Sequence, residues 1–381
     1  MTRNSKFIHI LLLQILFLWL PVHSNDKTFV LAGYLPEYRS YINVNETSIH
    51  LTDLMLFSVT PEAVMSSDGC CLSSDHYDLI RKARSYKMEE NNEVLRLLVT
   101  IGGAGRSNGF ANIVGGNVQL QGKFVNELIK LCPSRDICVV EEEPLSQDSI
   151  PFYYTVHKDT ESIGSPQKIS EHERLDGIDL DFEGIQSIDE WKTYLELIIF
   201  VASRLNRHGL MVTVALHPGQ FLPPKVCDVV DRVHVMTYDM IDGSKGRQGH
   251  HAELPAVQGA LKSFIDRGCP SSKLVLGIPA YARNGQNPGL VKTYSEIIDD
   301  YFKDGHTMTN EFRKIGFVNG YYFDSPAMVA SKVKYAKSIG LGGVFMWEVG
   351  QDKSSPDYSG GILLQAAANS ILNTDSISGE L

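Results

Sequence analysis

The sequence predicts an α/β fold, a closed (β/α)8 barrel that forms a single domain. Eight short segments rich in aliphatic residues have the pattern of strands, and helical patterns separate most of them. Parallel strands covered by helices have this pattern, because such strands are buried on both faces. The count of eight favours a closed barrel. A doubly wound open sheet is the weaker alternative, because no glycine-rich phosphate loop follows the first strand.

The elements follow one another in regular order along the chain. The predicted strands span residues 29–34, 53–59, 94–101, 175–184, 210–215, 232–238, 273–279 and 343–347. The predicted helices span residues 75–87, 119–131, 188–205, 254–267 and 325–338. In such a barrel the active site lies at the carboxyl ends of the strands. The polar, aromatic and glycine residues at these ends are Tyr34, Phe57, Gly102, Gly103, Glu183, Tyr238, Asp239, Tyr281, Arg283 and Trp347.

The fourth strand alternates acidic and apolar residues. Asp179, Asp181 and Glu183 should share one strand face, with about 6.6 Å between successive Cα atoms. Three like charges in a poorly solvated place repel, so one carboxyl should hold a proton at neutral pH. A protonated carboxyl is what a general acid requires. A solvated edge strand and a hard-cation site are the alternatives, and no further cluster of acidic ligands supports the cation.

Composition and the amino terminus indicate an exported protein. The net charge of −10 argues against nucleic acid or an anionic membrane surface as partner and is compatible with a neutral glycan. Residues 1–24 have the pattern of a signal peptide, because the apolar run 7–20 is too short for a comfortable membrane span. An uncleaved anchor is the alternative. We expect a soluble, secreted monomer with its barrel domain over 25–373 and a disordered tail over 374–381.

Six cysteines suit an oxidising compartment. They are Cys70, Cys71, Cys132, Cys138, Cys227 and Cys269. Spacing does not determine their pairing. Our working assignment joins Cys132 to Cys138 and Cys227 to Cys269. Asn45 lies in an acceptor pattern for N-glycosylation.

Residues 133–173 interrupt the alternation of strands and helices. Structureless loops of this length are uncommon in compact domains. The segment connects a helix to the fourth strand, so we expect it at the amino-terminal face of the barrel, where it would not affect catalysis. It is either an irregular surface insertion or an artefact of the gene sequence.

The acidic motif also carries a family resemblance. Residues 176–183 read D-G-x-D-x-D-x-E, the signature of family 18 glycoside hydrolases, the chitinases and their relatives. Residues 236–239 are similar to the family's M-x-Y-D, and residues 276–283 and 342–348 resemble its seventh and eighth strands. Residues 100–103 resemble its S-x-G-G, with Thr100 keeping the hydroxyl. Apart from the insertion, the resemblance extends from about residue 29 to 369.

This resemblance implies a mechanism. Asp181 and Glu183 project from one strand face, so they cannot easily attack a glycosidic bond from opposite sides, and family 18 uses substrate-assisted catalysis instead. Glu183 would then be the acid and later the base, while Asp181 would hold the acetamido nitrogen and share a proton with Asp179. Tyr238 would donate to the acetamido carbonyl, and Asp239 would line the same subsite.

The remaining predicted residues contact the sugar. Trp347 should form the floor of the −1 subsite. The other predicted substrate-binding residues are Tyr34, Phe57, Gly103, Met236, Tyr281 and Arg283. No cofactor or metal is expected, because His250 and His251 look like loop residues without ligand spacing to acids.

Three functions remain open at this point. The first is an endo-acting hydrolase of β-1,4-linked N-acetylglucosamine, a chitinase. The second is an inactive chitin-binding lectin, disfavoured because lectin relatives lose the acid whereas Glu183, Asp181 and Tyr238 are all present. The third is hydrolysis of the N-glycan core or a bacterial wall glycan. The short segment 283–341 suggests that the family's α+β insertion is reduced, which predicts a shallow groove.

Overall fold

The computed structural model describes residues 29–66, 71–89, 95–132, 174–241, 249–303, 309, 311–354 and 360–372. Its strands are β1 (Val30–Pro36), β2 (Asp53–Val59), β3 (Arg96–Gly102), β4 (Gly177–Asp181), β5 (Met211–Leu216), β6 (Arg232–Val235), β7 (Leu274–Pro279), β8 (Tyr281–Asn284), β9 (Val291–Thr293), β10 (Phe317–Val318), β11 (Tyr321–Tyr322) and β12 (Gly343–Trp347). Eight of them pair in parallel and close in the order β1-β12-β7-β6-β5-β4-β3-β2. The predicted (β/α)8 barrel is confirmed.

Helices cover the barrel. They are α1 (Val44–Ser48), α2 (Pro61–Ser66), α3 (Ser74–Glu89), α4 (Phe110–Val114), α5 (Val118–Leu131), α6 (Ile188–Leu205), α7 (Pro224–Val229), α8 (Leu254–Asp266), α9 (Tyr294–Lys303), α10 (Pro326–Ser338) and α11 (Ile362–Leu372). Local capping fixes several starts. The Ser187 hydroxyl accepts a hydrogen bond from the Glu190 N–H at 3.1 Å, and α6 therefore begins at Ile188, as predicted.

The alternation in β4 sorts its side chains between two environments. Ile178, Leu180 and Phe182 belong to the buried core between strands and helices. The intervening carboxylates of Asp179 and Asp181 are also buried, with 0% and 4% of each residue exposed. They therefore lie inside the barrel, where polar side chains that line the interior take the place of water as hydrogen-bond partners.

The sixth strand is shorter than predicted. The prediction of 232–238 was wrong at its carboxyl end, because the strand ends at Val235. Beyond it the Thr237 hydroxyl donates to the Gly277 carbonyl at 2.7 Å, and the Met240 N–H donates to the His251 carbonyl at 3.0 Å. The chain thus leaves the strand ladder just before the residues that face the barrel mouth.

An α+β insertion follows β7. Strands β8 to β11 form an antiparallel sheet in the order β10-β11-β8-β9, and α9 lies between β9 and β10 in the chain. On one face of this sheet the Lys292 ammonium lies 5.0 Å from the centre of the Tyr321 ring and pairs with Asp300 of α9. The insertion that the sequence indicated as reduced is thus a small, regular subdomain beside the barrel mouth.

The amino-terminal end of the barrel is held by charge and by a disulfide. Asp53 is buried and accepts hydrogen bonds from Arg96 at 2.7 and 3.1 Å and from Arg232 at 2.8 Å. We call these three residues the Asp53 cluster. The predicted disulfide between Cys227 and Cys269 is confirmed, with its Cα atoms 5.6 Å apart.

Several expectations lie outside the described residues. These are the signal peptide over 1–24, the insertion over 133–173, the tail over 374–381, and the cysteines at 70 and 138. The proposed pairing of Cys132 with Cys138 was wrong, because Cys132 is a free cysteine. Cys132 itself is buried, with its Sγ 3.6 Å from the Gly177 carbonyl oxygen. Within the described ranges, no helix is both long and apolar enough to cross a membrane.

Candidate active site

A cleft opens at the carboxyl ends of the barrel strands, with about 490 Å³ of empty space when the solvent at its open mouth is included. The residues that line it are Tyr34, Ala104, Asp181, Glu183, Ala215, His217, Met236, Tyr238, Asp239, Tyr281, Phe345 and Trp347. Most residues of the predicted site are therefore brought together. Phe57, Gly103 and Arg283 do not line the cleft, but each contacts or adjoins a residue that does. Asp179 lies below the cleft in the barrel interior.

Asp179 is surrounded by hydroxyl groups. Its carboxylate accepts hydrogen bonds from Thr213 at 2.6 Å, from Tyr34 at 3.0 Å and from Thr100 at 3.2 Å. Burial raises the pKa of Asp179 to about 6, and these hydrogen bonds to the charged form limit the rise. The threonine that departs from the family pattern at position 100 thus uses its hydroxyl.

A buried histidine supports this arrangement from below. Burial lowers the pKa of His234 to about 3, so its imidazole is neutral. Its Nδ1 lies 2.7 Å from the Tyr34 hydroxyl oxygen. Because that hydroxyl donates to Asp179, Nδ1–H is the donor to the tyrosine oxygen. These two hydrogen bonds fix the direction of the Tyr34 hydroxyl, and the Tyr34 ring lines the cleft.

Asp181 is the carboxylate most opposed to ionisation. Burial raises the pKa of Asp181 well above its ordinary value, and the nearby Glu183 and Asp179 raise it further. Its Oδ1 is buried and has no hydrogen-bond partner among the described residues. No described cation pairs with Asp179 or Asp181. The raised pKa values of Asp179 and Asp181 are consistent with a proton on one of them, and the sharing of that proton stays a prediction.

Glu183 lies at the rim, two residues beyond Asp181, where β4 ends. Its backbone N–H donates to the Ser107 hydroxyl at 3.1 Å, and its side chain is 23% exposed. Its Oε2 lies 3.2 Å from Nε2 of His217. We call Asp179, Asp181 and Glu183 the acidic row. Glu183 is therefore the member of this row that reaches both the cleft and solvent.

An aromatic cluster forms one wall of the cleft. The Trp347 ring packs against Phe57 and Tyr34, with ring centres 4.6 and 5.6 Å apart. Gly103 makes this wall possible, because a Cβ there would collide with the Phe57 ring and come within 3.3 Å of Asp181 Oδ2. Its φ of +99° also favours glycine. The partly exposed Trp347 offers an indole face at the mouth.

Asp239 is held on the opposite side of the cleft by three side chains, two of them from β8 and one from the loop that contains His251. Its Oδ1 lies 2.7 Å from the Tyr281 hydroxyl and 3.1 Å from Nδ1 of His251, and Arg283 forms an ion pair with the same carboxylate. Burial alone would raise the pKa of Asp239, but these contacts outweigh it and lower the pKa. Asp239 is thus a fixed anion, in contrast to Asp181.

Sequence reasoning missed the roles of three histidines. His217 follows β5 directly, and its place at a strand end was the available signal. His234 sits mid-strand in an apolar segment and gave none. His251 was assigned to a loop, which is correct, but its side chain is fully buried against Asp239. Among the described residues, no group of three acidic, histidine or cysteine side chains could hold a metal ion.

Solved structures match the fold over most of the chain. A family 18 chitinase from Flavobacterium johnsoniae superposes with a TM-score of 0.65 at 18% identity, covering 91% of this chain and 94% of that one. A class V chitinase mutant from Cycas revoluta in complex with (GlcNAc)3 has a TM-score of 0.66 at 20% identity, covering 90% and 99%. At this identity the likeness concerns the fold.

Curated proteins match a part of the chain. A stretch of 226 residues is 26% identical to Chitinase 1 of Aphanocladium album, covering 48% of this chain and 53% of that protein. Endochitinase 1 of Metarhizium robertsii is 27% identical over the same shares. The chain thus spans about half the length of the curated relatives that it matches. The family model for glycosyl hydrolases family 18 matches residues 30–352. Because that match includes all eight barrel strands and the whole cleft, the chain belongs to family 18 of the glycosyl hydrolases.

Proposed function

We propose that this protein is a retaining glycosidase that cleaves β-1,4-linked N-acetylglucosamine polymers, with chitin as the reference substrate. The observation that carries the proposal is the arrangement of carboxylates in the cleft. Glu183 stands at the rim, and Asp181 and Asp179 lie buried beneath it with raised pKa values. One acid is thus exposed to substrate, and two protonation-sensitive aspartates lie behind it.

Among the described residues that line the cleft, none is suited to act as a nucleophile on the far side of the bond. Asp239 is the cleft carboxylate that lies on another element, but its ion pair and hydrogen bonds hold its oxygens and lower its pKa. Such a carboxylate is a weak nucleophile. Attack by the substrate's own acetamido oxygen removes the need for one.

The first step breaks the glycosidic bond. Glu183 gives its proton to the leaving oxygen while the acetamido oxygen bonds to the anomeric carbon, which forms a cyclic oxazolinium ion. Asp181 accepts a hydrogen bond from the acetamido N–H, and its negative charge stabilises the ion. Burial raises the pKa of Tyr238 well above its ordinary value, so its hydroxyl stays protonated and can donate to the acetamido oxygen.

The second step opens the oxazolinium ion. Glu183, now a carboxylate, takes a proton from a water molecule that bonds to the anomeric carbon. The bond between the anomeric carbon and the acetamido oxygen then breaks, which opens the oxazolinium ring. The product keeps the anomeric configuration of the substrate. Asp179 and Asp181 share a proton through the cycle, so the charge on Asp181 can follow the charge of the sugar.

The cleft walls suit a pyranose ring. Trp347 forms the floor of the −1 subsite, because an indole face packs well on the C–H face of a sugar. Met236, Tyr34 and Tyr281 line the same space, and Arg283 acts through Asp239. The relatives' names and the (GlcNAc)3 bound to the Cycas revoluta enzyme support the choice of substrate class.

We also propose that the protein acts as a secreted monomer. The disulfide between Cys227 and Cys269 is consistent with an oxidising compartment, as is the pattern over residues 1–24.

The test is a parallel incubation with N-acetylglucosamine oligomers, an N-glycan and peptidoglycan, followed by mass spectrometry of the products. We expect cleavage of the oligomers, with the β anomer seen first by NMR. A thiazoline mimic of the cyclic intermediate should inhibit at far lower concentration than the free sugar. Binding of oligomers without cleavage would indicate a lectin. Cleavage of the N-glycan alone would replace chitin by the N-glycan core as the proposed substrate. Equal inhibition by the thiazoline and the free sugar would refute substrate assistance.

A further inference from the structure

We propose that His217 is a positioning residue for Glu183, which orients the acid through the contact between Nε2 and Oε2. This inference rests on the proposed function, since it concerns how the same acid is held. His217 stands immediately after β5, across the cleft from the aromatic wall, and its side chain is 47% exposed. Nothing in the fold requires a histidine here, because the ring is only half-buried.

The backbone of His217 is fixed by a local turn. Its N–H donates to Oε1 of Gln220 at 2.8 Å, and the Gln220 N–H donates back to its carbonyl at 2.9 Å. The turn aims the imidazole at the rim of the cleft. The imidazole therefore reaches Glu183, 3.2 Å away, from a backbone that the turn holds in place.

This contact is the only one that the Glu183 carboxyl group makes with a side chain among the described residues. In the neutral tautomer that carries its proton on Nε2, Nε2–H donates to Oε2 and Nδ1 is left as acceptor. With Oε2 occupied, the acidic proton of Glu183 belongs on Oε1. A general acid works when one oxygen presents its proton to the leaving group, so the histidine selects the oxygen that does so.

The experiment compares His217→Leu with His217→Gln in the full chain, using N-acetylglucosamine oligomers. Leucine removes the donor, whereas glutamine places an amide N–H near the position of Nε2. We expect His217→Leu to lower kcat about tenfold with little change in KM, because orientation in the transition state is lost. His217→Gln should recover most of kcat, because it restores a donor near Oε2 of Glu183.

The matched control is His208→Leu, in the short helical turn Asn206–His208 that precedes β5 at the opposite end of the barrel. Unchanged melting temperatures would show that each variant folds. An inactive wild-type enzyme would refute the proposed function and not this inference. An active wild type with normal kcat in His217→Leu would overturn the inference, and so would a glutamine variant that behaves like the leucine variant.

Discussion

The two ends of the barrel treat buried aspartates in opposite ways. At the amino-terminal end, burial alone would raise the pKa of Asp53, but Arg232 and Arg96 outweigh it and lower the pKa. At the carboxyl end, burial raises the pKa of Asp181, and its neighbours Glu183 and Asp179 are themselves acidic. The same residue type is thus compensated at one end and left uncompensated at the other.

The difference separates stability from chemistry. The Asp53 cluster closes the amino-terminal end with hydrogen bonds from two arginines, and the disulfide lies at the same end. The acidic row carries a cost in folding free energy, because buried carboxylates without cations are unfavourable. Such uncompensated groups are typical of catalytic sites. Substitutions at the two ends should therefore have separable effects.

The largest expected effect is on catalysis, in Glu183→Gln. The amide keeps the shape of the side chain and removes the transferable proton, so kcat/KM should fall roughly 10³-fold while oligomer binding persists. Initial rates and calorimetric titration with an oligomer measure both properties. The matched control is Glu196→Gln on the exposed face of α6. Turnover close to that of the wild type in Glu183→Gln would refute the acid assignment.

The next effect concerns stability, in Asp53→Asn. Two arginines lose their buried counter-charge, so the free energy of unfolding should fall by roughly 3–5 kcal/mol, as is usual when one partner of a buried pair is removed. Because the pKa of Asp53 is lowered, its stabilisation is present above the ordinary carboxyl range and is lost as pH falls through it.

Denaturant unfolding across pH measures this effect. Asp78→Asn removes one partner of an exposed pair with Lys82 and is the control, with an expected cost under about 1 kcal/mol. Activity per folded molecule should stay normal in both variants. A catalytic defect in folded Asp53→Asn would contradict the separation of the two ends.

The disulfide should give a smaller effect of the same kind. The double variant Cys227→Ser, Cys269→Ser releases a loop closed over a sequence separation of 42, so unfolding should become easier by about 2–4 kcal/mol. Thermal unfolding with and without reductant measures this change. The wild type in reductant should approach the double variant. A loss of kcat with unchanged stability would contradict this prediction, because it would show that the disulfide supports catalysis and not stability.

The smallest expected effect is the contribution of Asp352 to the pH dependence of the free energy of unfolding. This residue follows β12, the last strand of the barrel. Burial raises its pKa to about 7, although backbone N–H groups of Leu364, Leu363 and Lys353 partly offset this. A raised pKa means stabilisation that is complete below the unfolded pKa near 3.8 and is lost as pH rises through 7. Between pH 5 and pH 8, Asp352→Asn should therefore lose less stability than the wild type, by on the order of 2 kcal/mol. The exposed Asp266→Asn should leave the slope of the wild type unchanged.

Local patterns predicted most of the barrel. The bounds of β2, α6 and β12 agree with the sequence because aliphatic runs and a serine cap are local signals. The alternation over β4 likewise predicted which of its side chains face inward. The sixth strand was predicted too long because residues 236–238 continue the strand-like pattern, whereas the ladder ends where Thr237 turns to the Gly277 carbonyl.

The acid motif and its family were readable from the chain, but the partners of each acid were not. The eight strands and the inward-facing Asp179 and Asp181 follow from local sequence, because they depend on periodicity. The contacts of Tyr34 with Asp179 and His234, of Arg283 with Asp239, and of His217 with Glu183 arise only in the folded barrel. The two residues in each of these contacts are separated in the sequence by at least 34 and at most 200 positions. Closure of the barrel brings them within hydrogen-bonding distance.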